Sequence, residues 1–124
     1  MRFARWVFRI AGFYGVIIVA PMFFFERKIA PGLTHPVFYY AWLSVDLAWQ
    51  ILFLVLSTDP VRYRPMMLVC VLEKAAAAIA IPWLYASGRL EGQWLAVAAV
   101  DLVFSVLFLM SYRSTPRVPA SDDD

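Results

Sequence analysis

Four ionisable side chains interrupt stretches that are otherwise apolar: Asp46 between Pro36 and Leu56, Glu73 and Lys74 between Met66 and Ala86, and Asp101 between Gln93 and Tyr112. In hydrocarbon a charge costs about 2.5–3.5 kcal/mol at a helix centre on insertion scales, so groups kept there point to ion pairing, proton handling or the holding of a polar ligand. One lysine cannot neutralise three carboxylates. The acids left over must be protonated, share a proton or bind a cation. Gln50 follows Asp46 by four residues, one helical turn along the same face, and adds hydrogen-bonding capacity beside it.

The elements that must position these groups follow from composition. Of 124 residues, 63% are hydrophobic and 16% charged. A soluble fold of this length leaves too much surface exposed to hide that apolar content, whereas a bilayer accepts it. A hydrocarbon core about 30 Å thick takes roughly 20 residues of helix per pass. Four runs meet that length, at about 6–25, 36–56, 66–86 and 93–112. The expected fold is therefore all-α: an integral membrane four-helix bundle in one domain, residues 1–113, with antiparallel neighbours forced by short loops. Pro36 and Pro65 suit helix starts, Gly88 a helix end, and Pro82 a kink inside the third run. Residues 114–124, with Pro116, Pro119 and three terminal aspartates, read as a disordered tail. The first run follows Arg2 and Arg5 and contains Arg9, as in a signal peptide, but it is too long and no small-residue cleavage site follows Phe23-Phe24-Phe25.

Basic residues orient the bundle. Arg2, Arg5, Arg9, Arg62, Arg64, Arg113 and Arg117 lie at one set of helix ends, against Arg27, Lys28 and Arg89 at the other. The positive-inside rule then puts both termini and the Asp59–Pro60 turn in the cytoplasm. Nine arginines against two lysines, with abundant alanine, read as the product of a GC-rich bacterial genome, and hence an inner-membrane protein.

Depth and facing bring the polar groups together. Counted from the cytoplasmic helix ends, Asp46, Glu73 and Asp101 lie roughly 15, 13 and 17 Å deep, and Lys74 about 14 Å, too deep to reach water and so in need of an acidic partner. Tyr39, Trp42, Asp46, Gln50 and Phe53 form one stripe of the second run. Trp94, Ala98, Asp101, Ser105, Phe108 and Tyr112 form the matching stripe of the fourth. Both stripes should face the bundle interior. The layer reads either as interhelical glue or as a midplane cavity with aromatic walls. The surplus of acids favours the cavity.

Other features carry less. His35 is a loop residue without a second histidine, and Cys70 is single, so neither a metal site nor a disulfide follows. Gly12, Gly15 and the alanines at 75–78 and 80 read as close helix packing. No Ser–His–Asp set, phosphate loop or metal-ligand spacing is present, so catalytic residues and cofactors are expected to be absent. A net charge of +2 spread along membrane edges does not suit nucleic acid.

The segment Asp46-Leu47-Ala48-Trp49-Gln50-Ile51-Leu52-Phe53 has the pattern acid-Leu-x-x-Gln-x-x-Phe, preceded by Pro36-Val37-Phe38 and followed by Arg64-Pro65. It resembles the EXPERA-domain family, the emopamil-binding protein and sigma-two receptor group. The resemblance covers about half the chain and implies a four-helix membrane protein with an acidic intramembrane pocket for sterols and lipophilic amines, the helix acid and glutamine mapping to Asp46 and Gln50. The first run here has no carboxylate, and the histidine and second glutamate of a sterol isomerase site have no equivalents, which argues against isomerase activity.

The expected function is binding of a small lipophilic, cationic ligand. Asp46, Glu73 and Asp101 would supply charge, Gln50 a hydrogen bond, Trp42 and Trp94 the walls, and Lys74 a structural ion pair. The alternatives are a dimeric proton-coupled transporter and a non-catalytic accessory subunit assembled with a membrane partner.

Overall fold

A run of some twenty apolar residues in lipid has no water to satisfy its backbone, and the α-helix pairs every N–H and C=O within the segment. A computed structural model describes residues 2–29, 32 and 34–117. It contains four long helices, α1 (Arg2–Met22), α3 (Pro36–Thr58), α4 (Arg64–Ala86) and α5 (Trp94–Ser114), and one short helix, α2 (Glu26–Ile29). Each long helix is long and apolar enough to cross a membrane. At 1.5 Å per residue they span about 32–35 Å, against a hydrocarbon core of about 30 Å. Trp6, Ile17, Phe38, Leu72, Ile79 and Trp83 stand on the outside of the bundle, more than half exposed. In water such a surface would drive association; against lipid it is the matching surface. The protein is an all-helical four-helix bundle of membrane type.

The helix ends differ from the expected ones for local reasons. α1 starts at Arg2 rather than Trp6, because arginine is a good helix former and its long stem can lie along an apolar surface; Arg9 sits 5.4 Å from the Trp6 ring. α1 stops at Met22 rather than Phe25, just past Pro21, whose ring nitrogen cannot donate to the preceding turn. The Tyr39 hydroxyl then donates to the free Met22 carbonyl at 2.8 Å. The connection after α1 is not wholly irregular, since α2 lies within it and the Tyr40 hydroxyl donates to Glu26 Oε2 at 3.2 Å. At the far end Ser114 belongs to α5 and Thr115 is buried, its hydroxyl donating to the Ser111 carbonyl at 2.7 Å. The expected tail is thus ordered at its start, and its residues 118–124 lie outside the described residues.

Packing runs in a chain of neighbours, α3 on α1, α1 on α5, and α5 on α4. Glycine lets α1 and α3 approach: a Cβ on Gly12 would fall 2.6 Å from the Leu54 side chain, and one on Gly15 would collide with the Gln50 side chain. This is the close helix packing expected of the two glycines. At the end of the bundle that holds the 59–63 turn, Phe8 stacks on Phe108 with ring centroids 4.3 Å apart, and Phe53 meets Phe108 at 5.0 Å. Ala4, Ala11, Leu56, Met67 and Cys70 complete this core. Arg64 ties it shut, its Nε donating to the carbonyls of Tyr112 at 3.1 Å and Thr115 at 2.8 Å while the guanidinium lies 3.8 Å from the Tyr112 ring centre. A cation on the last carbonyls of α5 also suits the negative end of the helix dipole. α3 and α4, although joined by that short turn, are not a closely packed pair; their side chains meet near the turn through Phe53, Leu56, Met67 and Cys70.

An acidic cavity between the helices

Beyond the phenylalanine core the helices border a partly open cavity of about 560 Å³. Each long helix brings residues to it for a reason legible in its sequence. On α3, Trp42, Asp46, Trp49 and Gln50 recur at intervals of one turn and share one face. On α5, Trp94, Val97, Val100 and Asp101 do the same. α4 contributes Glu73, Lys74, Ala77, Ala80, Ile81 and Leu84, and α1 contributes Tyr14, Gly15, Ile18 and Val19.

The polar groups form the floor. Gln50 Nε2 donates to Asp46 Oδ1 at 2.8 Å, a bond within one turn of α3. Lys74 Nζ donates to Asp101 Oδ1 at 3.3 Å, from α4 to α5, and lies 4.0 Å from Glu73 Oε2. The ammonium also faces the rings of Phe53 at 5.5 Å and Phe104 at 5.8 Å, close enough for the ring faces to attract it. One turn from Asp101 towards the core, Ser105 donates to the Val71 carbonyl at 3.4 Å, a second polar tie between α4 and α5. Two acceptors have no hydrogen-bond partner among the described residues, Gln50 Oε1 and Glu73 Oε2. Gln50 is 1% exposed. An orphaned buried acceptor costs about 1–3 kcal/mol; Gln50 Oε1 packs against Gly15 of α1, and Glu73 Oε2 has the Lys74 ammonium at 4.0 Å.

All six residues expected to line a site, Asp46, Gln50, Glu73, Asp101, Trp42 and Trp94, border this one cavity, and so does Lys74. Lys74 does pair with acid, across to α5 through Asp101 and along its own helix with Glu73. Of the alanines of α4, Ala77 and Ala80 border the cavity, while the helix as a whole packs against α5. They follow Glu73 by four and seven residues, so the helical period already places them on the glutamate's face. Trp49, three residues after Asp46, carries the same signal. Tyr14 and Ile18 of α1 offered none, because no polar group marks the inner face of that helix. Among the described residues no group of three His, Cys, Asp or Glu side chains is placed to hold a metal ion.

No protein-family model, curated protein or solved structure matches this chain.

Proposed function

We propose that the protein binds a small lipophilic cation or hydrogen-bond donor in this cavity. The observation that carries the reading is the excess of carboxyl groups, Asp46, Glu73 and Asp101 against the single ammonium of Lys74, at the floor of an apolar-walled chamber. With one ammonium among three carboxyl groups, the floor can take a positive charge without gaining a net one. Trp42, Trp49 and Trp94 supply the ring faces that favour a cation in a desolvated site. A volume of about 560 Å³ suits a small drug-sized molecule. The EXPERA-like segment around Asp46 and Gln50 agrees with this reading. The Lys74–Asp101 tie would serve an accessory subunit equally well, but an assembly role leaves the surplus of carboxyl groups unexplained. The phenylalanine core closes the turn end, which weighs against a transport conduit through one copy. On the excess of arginine over lysine and the abundance of alanine we place the protein in a bacterial inner membrane, and on the distribution of basic residues we place both termini in the cytoplasm.

Thermal unfolding of the detergent-solubilised protein, with and without hydrophobic amines and sterols, tests the reading. A saturable rise in melting temperature is expected for the parent and is expected to vanish in Asp46→Asn, which keeps shape and an acceptor but loses charge. Absence of any stabilising compound would remove the ligand-site reading and leave the accessory subunit.

A further inference from the structure

The chamber has charged residues only on its floor: among those bordering it, the ionisable ones are Asp46, Glu73, Lys74 and Asp101, with Tyr14 apart. Its far rim, from Ile18 and Trp42 across to Leu84, Leu90 and Trp94, is apolar or aromatic. A hydrated cation arriving from solvent would meet no polar group there to replace its water. The turn end is sealed by Phe8, Phe53 and Phe108, each fully buried.

One side remains. The helices are neighbours in the order α3, α1, α5, α4, and the ring does not close between α3 and α4. The residues of the chamber that flank this side are Trp42 and Val45 on α3, and Ala77 and Ala80 on α4. Trp42 and Val45 are 48% and 59% exposed, so they border the chamber and the outer surface together; Ala80 is exposed as well. Single methyl groups at 77 and 80 leave width that a leucine would fill. Behind them lie Asp46 and Glu73, carboxyl groups that border the same space.

We propose that the gap between α3 and α4 is the entrance to the chamber, opening sideways into the bilayer, and that Ala77 and Ala80 set what passes. This deepens the binding reading and rests on it for the ligand: the compounds admitted are those that first dissolve in hydrocarbon, with an uncharged or charge-masked amine or hydroxyl at one end. Small hydrophilic ammonium ions are excluded.

Access can be measured without a ligand. A nitroxide spin label is attached at Val100→Cys, on the α5 wall, in a Cys70→Ser background reconstituted in phosphatidylcholine vesicles. Its collision rates with molecular oxygen, which concentrates in lipid, and with a neutral hydrophilic nickel chelate are read by electron paramagnetic resonance. The expected result is high oxygen and negligible chelate accessibility, with oxygen accessibility falling at least threefold when Ala80→Phe is added and by a smaller factor for Ala77→Leu. Circular dichroism confirms that each variant keeps its helix content, and the milder Ala77→Leu serves if Ala80→Phe does not fold. Ready chelate access would mean an aqueous mouth and would overturn the proposal, as would oxygen access unchanged by either substitution. If the access pattern holds while no amine stabilises the parent, the binding reading fails and the entrance stands.

Discussion

Replacing Lys74 by methionine keeps the unbranched chain, one atom shorter, and removes its charge. Lys74 and Asp101 are only 10% and 15% exposed in their side chains, so solvent screens the pair little. Two readings of the 3.3 Å contact predict different losses. As an ordinary interhelical hydrogen bond within a membrane it would be worth about 0.6 kcal/mol. As a buried ion pair, removal of one partner should cost about 3–5 kcal/mol, because Asp101 and Glu73 are left without a cation. The structure favours the larger figure, since among the described residues Lys74 is the one cation bordering the cavity. Equilibrium unfolding in mixed micelles, followed by circular dichroism, gives the difference directly. Lys74→Met/Asp101→Asn should recover part of the loss, and only part, since Glu73 still faces the site unneutralised. A loss below about 1 kcal/mol for Lys74→Met would reduce the contact to a single weak hydrogen bond and refute the charge pairing.

Gly15→Ala should destabilise by about 1–3 kcal/mol, because the new methyl must push the buried Gln50 side chain aside. Adding Gln50→Ala should make the pair lose less than the sum of the single changes, which unfolding of all three variants will show. Arg64→Lys keeps the charge but loses Nε, the donor to both Tyr112 and Thr115 carbonyls, and the stacked plane on Tyr112. It should cost about 1–2 kcal/mol, with faster amide hydrogen exchange confined to residues 111–115. In cells lacking Cys70, Ser87→Cys should react with a membrane-impermeant thiol reagent applied outside and Arg62→Cys should not; the reverse pattern would invert the proposed orientation.

Much of this was legible before any coordinates. The four helices follow from apolar length, and the inner stripes of α3 and α5 from helical period, so that Asp46, Gln50, Trp42, Asp101 and Trp94 could be placed on one cavity. The need of Lys74 for an acid was legible too. Which acid was not. Asp46, Glu73 and Asp101 lie at similar computed depths, and the choice of Asp101 depends on α4 packing against α5 rather than α3. The alanines of α4 were ambiguous for a related reason. A methyl group permits close approach of a neighbour and equally marks a place where no neighbour comes, and only the order of helices around the bundle separates the two. α2 escaped notice because four residues are too few to show a period, and it is held from outside, by Tyr40.

The 27-residue separation between Lys74 and Asp101 bears on how the protein is made. During synthesis α4 leaves the ribosome with Lys74 held only by the 4.0 Å contact to Glu73 of its own helix, before Asp101, its 3.3 Å partner on α5, exists. An α4 left alone in lipid would hold both charges near mid-membrane, at about 2.5–3.5 kcal/mol each. The two helices therefore have reason to enter the bilayer as a hairpin, with α4 waiting at the insertion machinery until Asp101 arrives. α1 then meets α5, the first segment made against the last. A chain truncated before Asp101 would lose more than a helix: Lys74 in its third span would keep only the longer contact, to Glu73.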